Sequence, residues 1–245
     1  MRKSRRKTVA ARRLVLVAIL TLAVPAAGCG RENDNQTPAD EAPVEVSLPS
    51  PATRGEVSLE EAIQARRSVR SFTSRRLTRE EVSQLLWAAG GRTIDGVTGP
   101  TRSYPSAGGI YSLSILLAAG EVEGISPGVY RYDWRENSLR LIRSGDPRSD
   151  LARAALGQGA VRRAPASIVI VGDVQRTAAR YGERGRDRYI SMDTGHSGQN
   201  VSLQAQALGL GSVIIGAFRD EAVKEVLGIE RETPLYIIPV GEPAS

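Results

Sequence analysis

Residues 193–217 read DTGHSGQNVSLQAQALGLGSVIIGA: a run rich in small residues, a Gly-x-Gly punctuation, then an apolar β-branched stretch. Val201, Leu203, Ala205 and Leu208 predict a helix over 193–208, and SVIIGA (212–217) predicts a strand. The order of these pieces decides the fold class. A dinucleotide-binding unit puts its glycines after a strand and before a helix, whereas Gly209 and Gly211 follow a helix and precede a strand. No G-x-G-x-x-G follows a strand elsewhere, and neither a P-loop nor a G-x-S-x-G occurs.

Working outward, PLYIIPVG (234–241) and ASIVIVGD (166–173) read as further strands, with a short helix at 220–227 before the former. SLSILLAA (112–119), GVYRYD (128–133) and SLRLIR (138–143) extend the set, the last two joined by a turn at Glu136-Asn137. Two capping boxes, Ser58-Leu-Glu-Glu61 and Thr78-Arg-Glu-Glu81, start helices that end near Arg66 and at Gly90-Gly91. Residues 90–110 are Gly/Pro/Ser-rich and read as a long loop. Helices and strands mix without regular alternation, so residues 58–245 are expected to form one α+β domain.

The net charge of +6 suggests a nucleic-acid partner at first sight. Seven basic groups, Arg2 to Arg13, lie within residues 1–28, which hold no acid; removing them from 33 Lys and Arg leaves 26 against 27 acidic residues. The body of the chain is near-neutral, and nucleic-acid binding loses its support. The basic start leads into LVLVAILTLAVPAA (14–27), too short and too Pro-broken to span a bilayer, and then Gly28-Cys29. Residues 1–28 read as a signal peptide. Ala26-Ala27-Gly28-Cys29 resembles a bacterial lipobox, in which Cys29 is lipidated; an ordinary signal peptide with an incidental cysteine is the other reading. Residues 29–57, polar and proline-bearing, are expected to be a flexible tether to the membrane.

His196 is the only histidine, so a multi-histidine metal centre is excluded; Cys29 is the only cysteine, and its acylation would exclude disulfides, thiolate catalysis and cysteine metal sites, so no metal is expected.

Two stretches carry chemistry. RRSVRSF (66–72) presents three guanidinium forks and the Ser68 hydroxyl, a set suited to a phosphate dianion; a solvated basic helix end is the plainer reading. RSYPSAGGIY (102–111) couples a rigid Pro105 to small residues, letting main chain lie flat against a planar ligand; a mobile surface loop is the alternative. His196 reads as structural at a helix start, and Trp87 and Trp134 as core or interface anchors.

In register, RRSVRSF, YPSAGGIY (104–111), MDTGHSGQNVSLQAQALGLGS (192–212), IIGAF (214–218) and TPLYIIPVG (233–241) resemble the FMN-dependent nitroreductase superfamily. The nearest branch is that of the SagB-type dehydrogenases, known for oxidising azolines to azoles in peptide natural products. The resemblance runs from about Val57 to Pro243. It implies a central, mostly antiparallel sheet flanked by helices, in a homodimer. It also implies FMN, with Arg66, Arg67, Ser68 and Arg70 on the phosphate and ribityl chain. Pro105, Ser106, Ala107 and Gly108 would contact the isoalloxazine, often from the partner subunit. Gly216 and Ala217 would offer a backbone N–H near the flavin N5, and Arg219 a further anion contact. The Lys-Tyr pair of the SagB-type enzymes falls on Arg180-Tyr181. Arginine cannot replace lysine as a base, which leaves Tyr181 as the candidate catalytic residue, to move a proton or simply to pack. Many relatives end in a basic segment; this chain ends PVGEPAS, with Glu242 in its place.

The expected function is hydride transfer between a small organic substrate and flavin, by an enzyme anchored to a membrane of the cell envelope and facing outside the cytoplasm. NAD(P)H is not expected to be available there, so oxidation of an organic substrate fits better than nicotinamide-fed reduction. The alternative is a non-catalytic flavin- or small-molecule-binding lipoprotein that retains the fold.

Overall fold

The run ASIVIVG (166–172) is buried at every position, as an apolar strand covered on both faces must be. It lies inside the domain seen in the computed structural model, which describes residues 44–96 and 99–244. The expected signal peptide, Cys29 and the first part of the tether lie outside the described residues.

In chain order the elements are β1 (Glu45–Ser47), α1 (Leu59–Ala65), α2 (Arg79–Gly90), β2 (Arg92–Gly96), β3 (Gly99–Arg102), β4 (Leu113–Ala119), β5 (Gly128–Asp133) and β6 (Ser138–Ser144). They continue with α3 (Arg148–Ala154), α4 (Gly159–Arg163), β7 (Ala166–Gly172), α5 (Val174–Tyr181), α6 (Ile190–Ala207), β8 (Gly211–Ser212), α7 (Asp220–Leu227) and β9 (Thr233–Gly241). Seven strands form one sheet in the order β1-β6-β5-β4-β7-β9-β8, and every pairing in it is antiparallel. The α+β expectation and the antiparallel sheet flanked by helices therefore hold.

Alternation along the central strands builds two cores. Ile115 and Leu117 of β4, with Ile168 and Ile170 of β7, face Leu85 and Leu86 of α2 and Val201 and Ala205 of α6. Leu116 and Ala118, with Val169 and Val171, face the other way, onto Leu151, Val161, Val223 and Leu227 of α3, α4 and α7. A one-residue slip of β7 would exchange the two sets, so its register is fixed from both sides. Each such Leu or Ile contributes roughly 1.5–3 kcal/mol of burial. Both capping boxes form: Ser58 and Thr78 accept from the backbone of Glu61 and Glu81, whose carboxylates accept in return.

Three expectations need correction. Residues 44–52, read as tether, are part of the fold. β1 pairs with β6, Leu48 N–H donates to Asn137 O at 3.0 Å, and Ala52 N–H donates to Gln84 Oε1 at 2.8 Å. Val46 and Leu48 pack on the first core, which supplies the burial that a free tether lacks. The 90–110 loop contains the antiparallel hairpin β2–β3 and a 3-10 turn at Ala107–Gly109. SVIIGA is not one strand. The ladder stops after Ser212, and only Ile215 returns to β9, exchanging both backbone hydrogen bonds with Ile237 at 2.9 and 3.0 Å. Val213 and Ile215 are nevertheless buried in the second core, so the stretch reaches the core without a continuous ladder. No described helix is long and apolar enough to cross a membrane.

Candidate active site

The arginine segment begins where α1 stops. Arg66 takes a non-helical conformation while its N–H still donates to Ala62 O, and the chain then runs extended. Ser68 forms a parallel bridge with Ser212, and Val69 N–H donates to Ser212 O at 2.9 Å. That approach needs a glycine: a Cβ on Gly211 would meet the Val69 side chain at 2.6–2.8 Å. Further on, Thr73 N–H donates to Glu242 O and Ala244 N–H to Ser71 O, so the segment is stitched between β8 and the chain's last residues. Arg66, Arg67 and Arg70 are exposed, and among the described residues their guanidiniums make no ion pair or hydrogen bond. Glu242 does not oppose them. Its carboxylate accepts from Thr73 Oγ1 at 2.7 Å and pairs with Arg75 Nε at 3.3 Å.

Past the Ile215–Ile237 bridge, Gly216 and Ala217 are exposed. A Cβ on Gly216 would meet only the Tyr236 ring, at 3.9 Å, so the backbone there is open to approach. Gln158 Nε2 holds the Ala217 carbonyl at 3.1 Å and fixes the turn. Arg219 is exposed at the start of α7, but its backbone N–H donates to Ala154 O and its Nη2 to Arg153 O, both at 3.0 Å. Part of its side chain is thus committed to α3.

The glycine-rich loop is fixed on α6. Ser106 Oγ donates to Asp193 Oδ2 at 2.5 Å, Ala107 N–H donates to Asp193 Oδ1 at 3.2 Å, and Ser106 Oγ accepts from Tyr111 N–H at 3.0 Å. Pro105 O lies 3.3 Å from His196 Nδ1, which gives the histidine a structural contact. Gly108 has φ +60°; its carbonyl accepts from Arg180 Nη1 at 3.2 Å, and a Cβ there would fall 2.4 Å from the Tyr181 hydroxyl. Tyr181 itself is half-buried, edge-on to Tyr189 at 5.0 Å. Behind the loop, burial pushes the Tyr104 phenol up to about 12.

Two groups result. Pro105 to Gly108 gather with Arg180, Tyr181, Asp193 and His196, while Arg66 to Arg70 gather with Ser212 a few residues before Gly216. Among the described residues no hydrogen bond or ion pair links the groups. Asp193 and Gln158 were missed in the sequence: each works by holding a backbone segment, and a lone Asp or Gln carries no spacing signal. Arg163, whose Nη2 donates to Arg70 O at 3.3 Å, brings a further cation beside the arginine segment.

A model of the nitroreductase family matches residues 63–242. The chain belongs to the nitroreductase family. It is accordingly an oxidoreductase of nitroreductase type, a family whose members bind FMN. A candidate nitroreductase of Methanocaldococcus jannaschii is 41% identical over 186 residues, 76% of this chain and 91% of that protein. A trifolitoxin operon protein of Rhizobium leguminosarum bv. trifolii is 28% identical over 188 residues, covering 72% of this chain but only 53% of its own length. Among solved structures, a candidate nitroreductase of Ralstonia eutropha superposes with a TM-score of 0.71 at 29% identity, covering 82% of this chain and 90% of its own. The nitroreductase's open backbone at Gly216 and its uncommitted guanidiniums suit a planar group bearing a phosphate.

Proposed function

We propose that this nitroreductase binds FMN through Arg66, Arg67, Ser68 and Arg70 and oxidises a small organic substrate. The observation that carries the reading is the uncommitted state of three exposed guanidiniums on a segment bridged to Ser212, which precedes the open backbone of Gly216 and Ala217 by a few residues. Arginine forks match phosphate oxygens in pairs, and backbone N–H groups need close, unhindered approach. When bound, FMN supplies a reversible two-electron acceptor. The chain's own residues hold its phosphate, and Gly216 offers backbone where a side chain would intrude. Tyr181 presents a hydroxyl against Gly108 that can donate or accept a proton at the loop's surface. Arg180 takes no proton; it anchors the Gly108 carbonyl.

A homodimer is part of the proposal. The two groups are attached to separate parts of one chain, so a second copy that brings its Pro105–Gly108 loop to the arginine segment would complete the site. Exposed Val57, Leu59 and Ile63 around α1 supply apolar surface for that contact. The SagB-type branch rests on the motif resemblance alone. Cys29 as a lipid anchor and a location outside the cytoplasm rest on the sequence pattern alone.

The test is to saturate the purified protein with FMN, remove free ligand, and record the visible spectrum before and after dithionite. A retained flavin that bleaches and recovers in air is expected, and its loss in Arg66→Ala/Arg70→Ala without loss of fold. A folded wild-type protein that retains no flavin would sink the reading.

A further inference from the structure

A cleft of about 850 Å³ opens where the start of β4, the end of β5, β6 and the start of α5 meet. One wall is Gly109 to Ser112, the direct continuation of the Pro105–Gly108 loop. Ten of its lining side chains are ionisable as acid or base in the charged sense, Arg or carboxylate, and their pairing is uneven. Every carboxylate is already engaged. Glu232 pairs with both ends of the Arg131 fork, at 2.6 and 2.8 Å. Asp173 caps α5 by accepting from Arg176 N–H at 3.0 Å, Asp133 accepts from Arg135 N–H at 2.8 Å, and Glu45 accepts from Ser138 Oγ at 2.5 Å.

The cations are not so placed. Arg140, Arg176 and Arg231 are exposed in the cleft, and among the described residues their guanidiniums make no ion pair or hydrogen bond. Arg135 lies only over the Trp134 ring, at 4.2 Å. Beneath them Arg102 is buried, 8% exposed, and has no carboxylate partner among the described residues. It donates to carbonyls instead, Nε to Gly90 O at 2.6 Å and Nη1 to Leu113 O at 3.0 Å, and packs beside Trp134 and Tyr104. A buried charge without a counterion is costly unless something of opposite sign sits near it. Six arginines against four carboxylates leave the cleft net positive, which concentrates anions there.

We infer that this cleft binds a small organic molecule carrying two or more carboxylate or phosphate groups, held by Arg140, Arg176 and Arg231 over the buried Arg102. Because the wall continues the loop assigned to the flavin face, the bound molecule is the substrate of the proposed reaction. Only that last step rests on the flavin reading; anion binding in the cleft stands without it.

The experiment is calorimetric titration of the full chain with citrate and, separately, pyrophosphate, at low and at moderate salt. One site per chain is expected, weaker at higher salt, for citrate if carboxylates are preferred and for pyrophosphate if phosphates are. Arg176→Gln/Arg231→Gln, changed only at exposed positions, should weaken it by about tenfold or more with an unchanged melting temperature and unchanged FMN retention. Arg66→Ala/Arg70→Ala should bind the anion as wild type does. No binding of either anion overturns the inference, as does binding that survives the cleft variant and disappears in the arginine-segment variant. Anion binding through the cleft by a protein that retains no FMN would support the site and sink the flavin reading.

Discussion

Asp193, buried on α6, holds Ser106 by a 2.5 Å hydrogen bond and holds the neighbouring Ala107 N–H with its other oxygen. One carboxylate thus sets the conformation of the glycine-rich loop. Asp193→Ala removes both bonds and leaves the Ala107 donor without its partner, at a cost of about 2–4 kcal/mol. Denaturant unfolding should read that loss, and flavin retention should fall with it. Unchanged values in both would mean the loop is held by something else.

Gly108 lies too close to the Tyr181 hydroxyl to carry a side chain. Gly108→Ala adds a methyl 2.4 Å from the Tyr181 hydroxyl and forces a residue with a Cβ into φ +60°. The backbone part alone is about 1–2 kcal/mol. Adding Tyr181→Phe removes the hydroxyl contact but neither the approach to the Arg180 guanidinium at 3.0 Å nor the backbone strain, so the double variant should recover part of the stability lost by Gly108→Ala. Full recovery, or none, would contradict this geometry.

Gly211 sets the position of the arginine segment through Val69. Gly211→Ala should push the segment away from Ser212 and weaken flavin binding while the sheet remains folded. The closest obstructing atom is the Val69 Cβ itself, so removing the whole side chain with Val69→Gly should restore binding in the Gly211→Ala background. Fluorescence titration with FMN reads both changes, and equal affinity in wild type and Gly211→Ala would refute the coupling.

Where the sequence was legible, local chemistry and tertiary burial agreed. The capping boxes at Ser58 and Thr78, the alternation in β4 and β7, and the Asp220–Leu227 helix each declare themselves within a few residues. SVIIGA failed because its β-branched run reports apolarity, not pairing: Val213 and Ile215 reach the core without a continuous ladder. β1 was hidden in a polar stretch because Val46 and Leu48 find their partners only across the chain. In the site, the motifs were readable but their holders were not. Asp193 and Gln158 act through backbone carbonyl and amide groups far away in sequence. The cleft's arginines come from β3, β5, β6, α5 and the connections that hold Arg135 and Arg231, and share no motif.

The Arg131–Glu232 pair makes a pH prediction. Burial alone would raise the Glu232 carboxyl, but the Arg131 fork and charge, with Ser114, outweigh it and hold the group below its ordinary 4.5. A carboxyl lowered in the folded state adds stability that is complete above about pH 4.5 and is lost as pH falls through the lower, folded value. Glu232→Gln should therefore flatten the fall in melting temperature below pH 4.5. It should also lower stability at pH 7, where Arg131 loses its partner. An acid limb as steep as wild type would remove Glu232 from the account.

The sheet ends on short edges within the described residues: three residues of β1 on one side, two of β8 on the other. Exposed sheet edges are templates on which other chains add strands and aggregate. On the β8 side that template is partly covered by the Ser68–Ser212 bridge, and Arg66, Arg67 and Arg70 surround the cover with charge. The arginines proposed to hold an anion are therefore also expected to keep a foreign strand away. Neutralising them would leave the domain folded, with a stickier edge, and solubility would fall along with affinity.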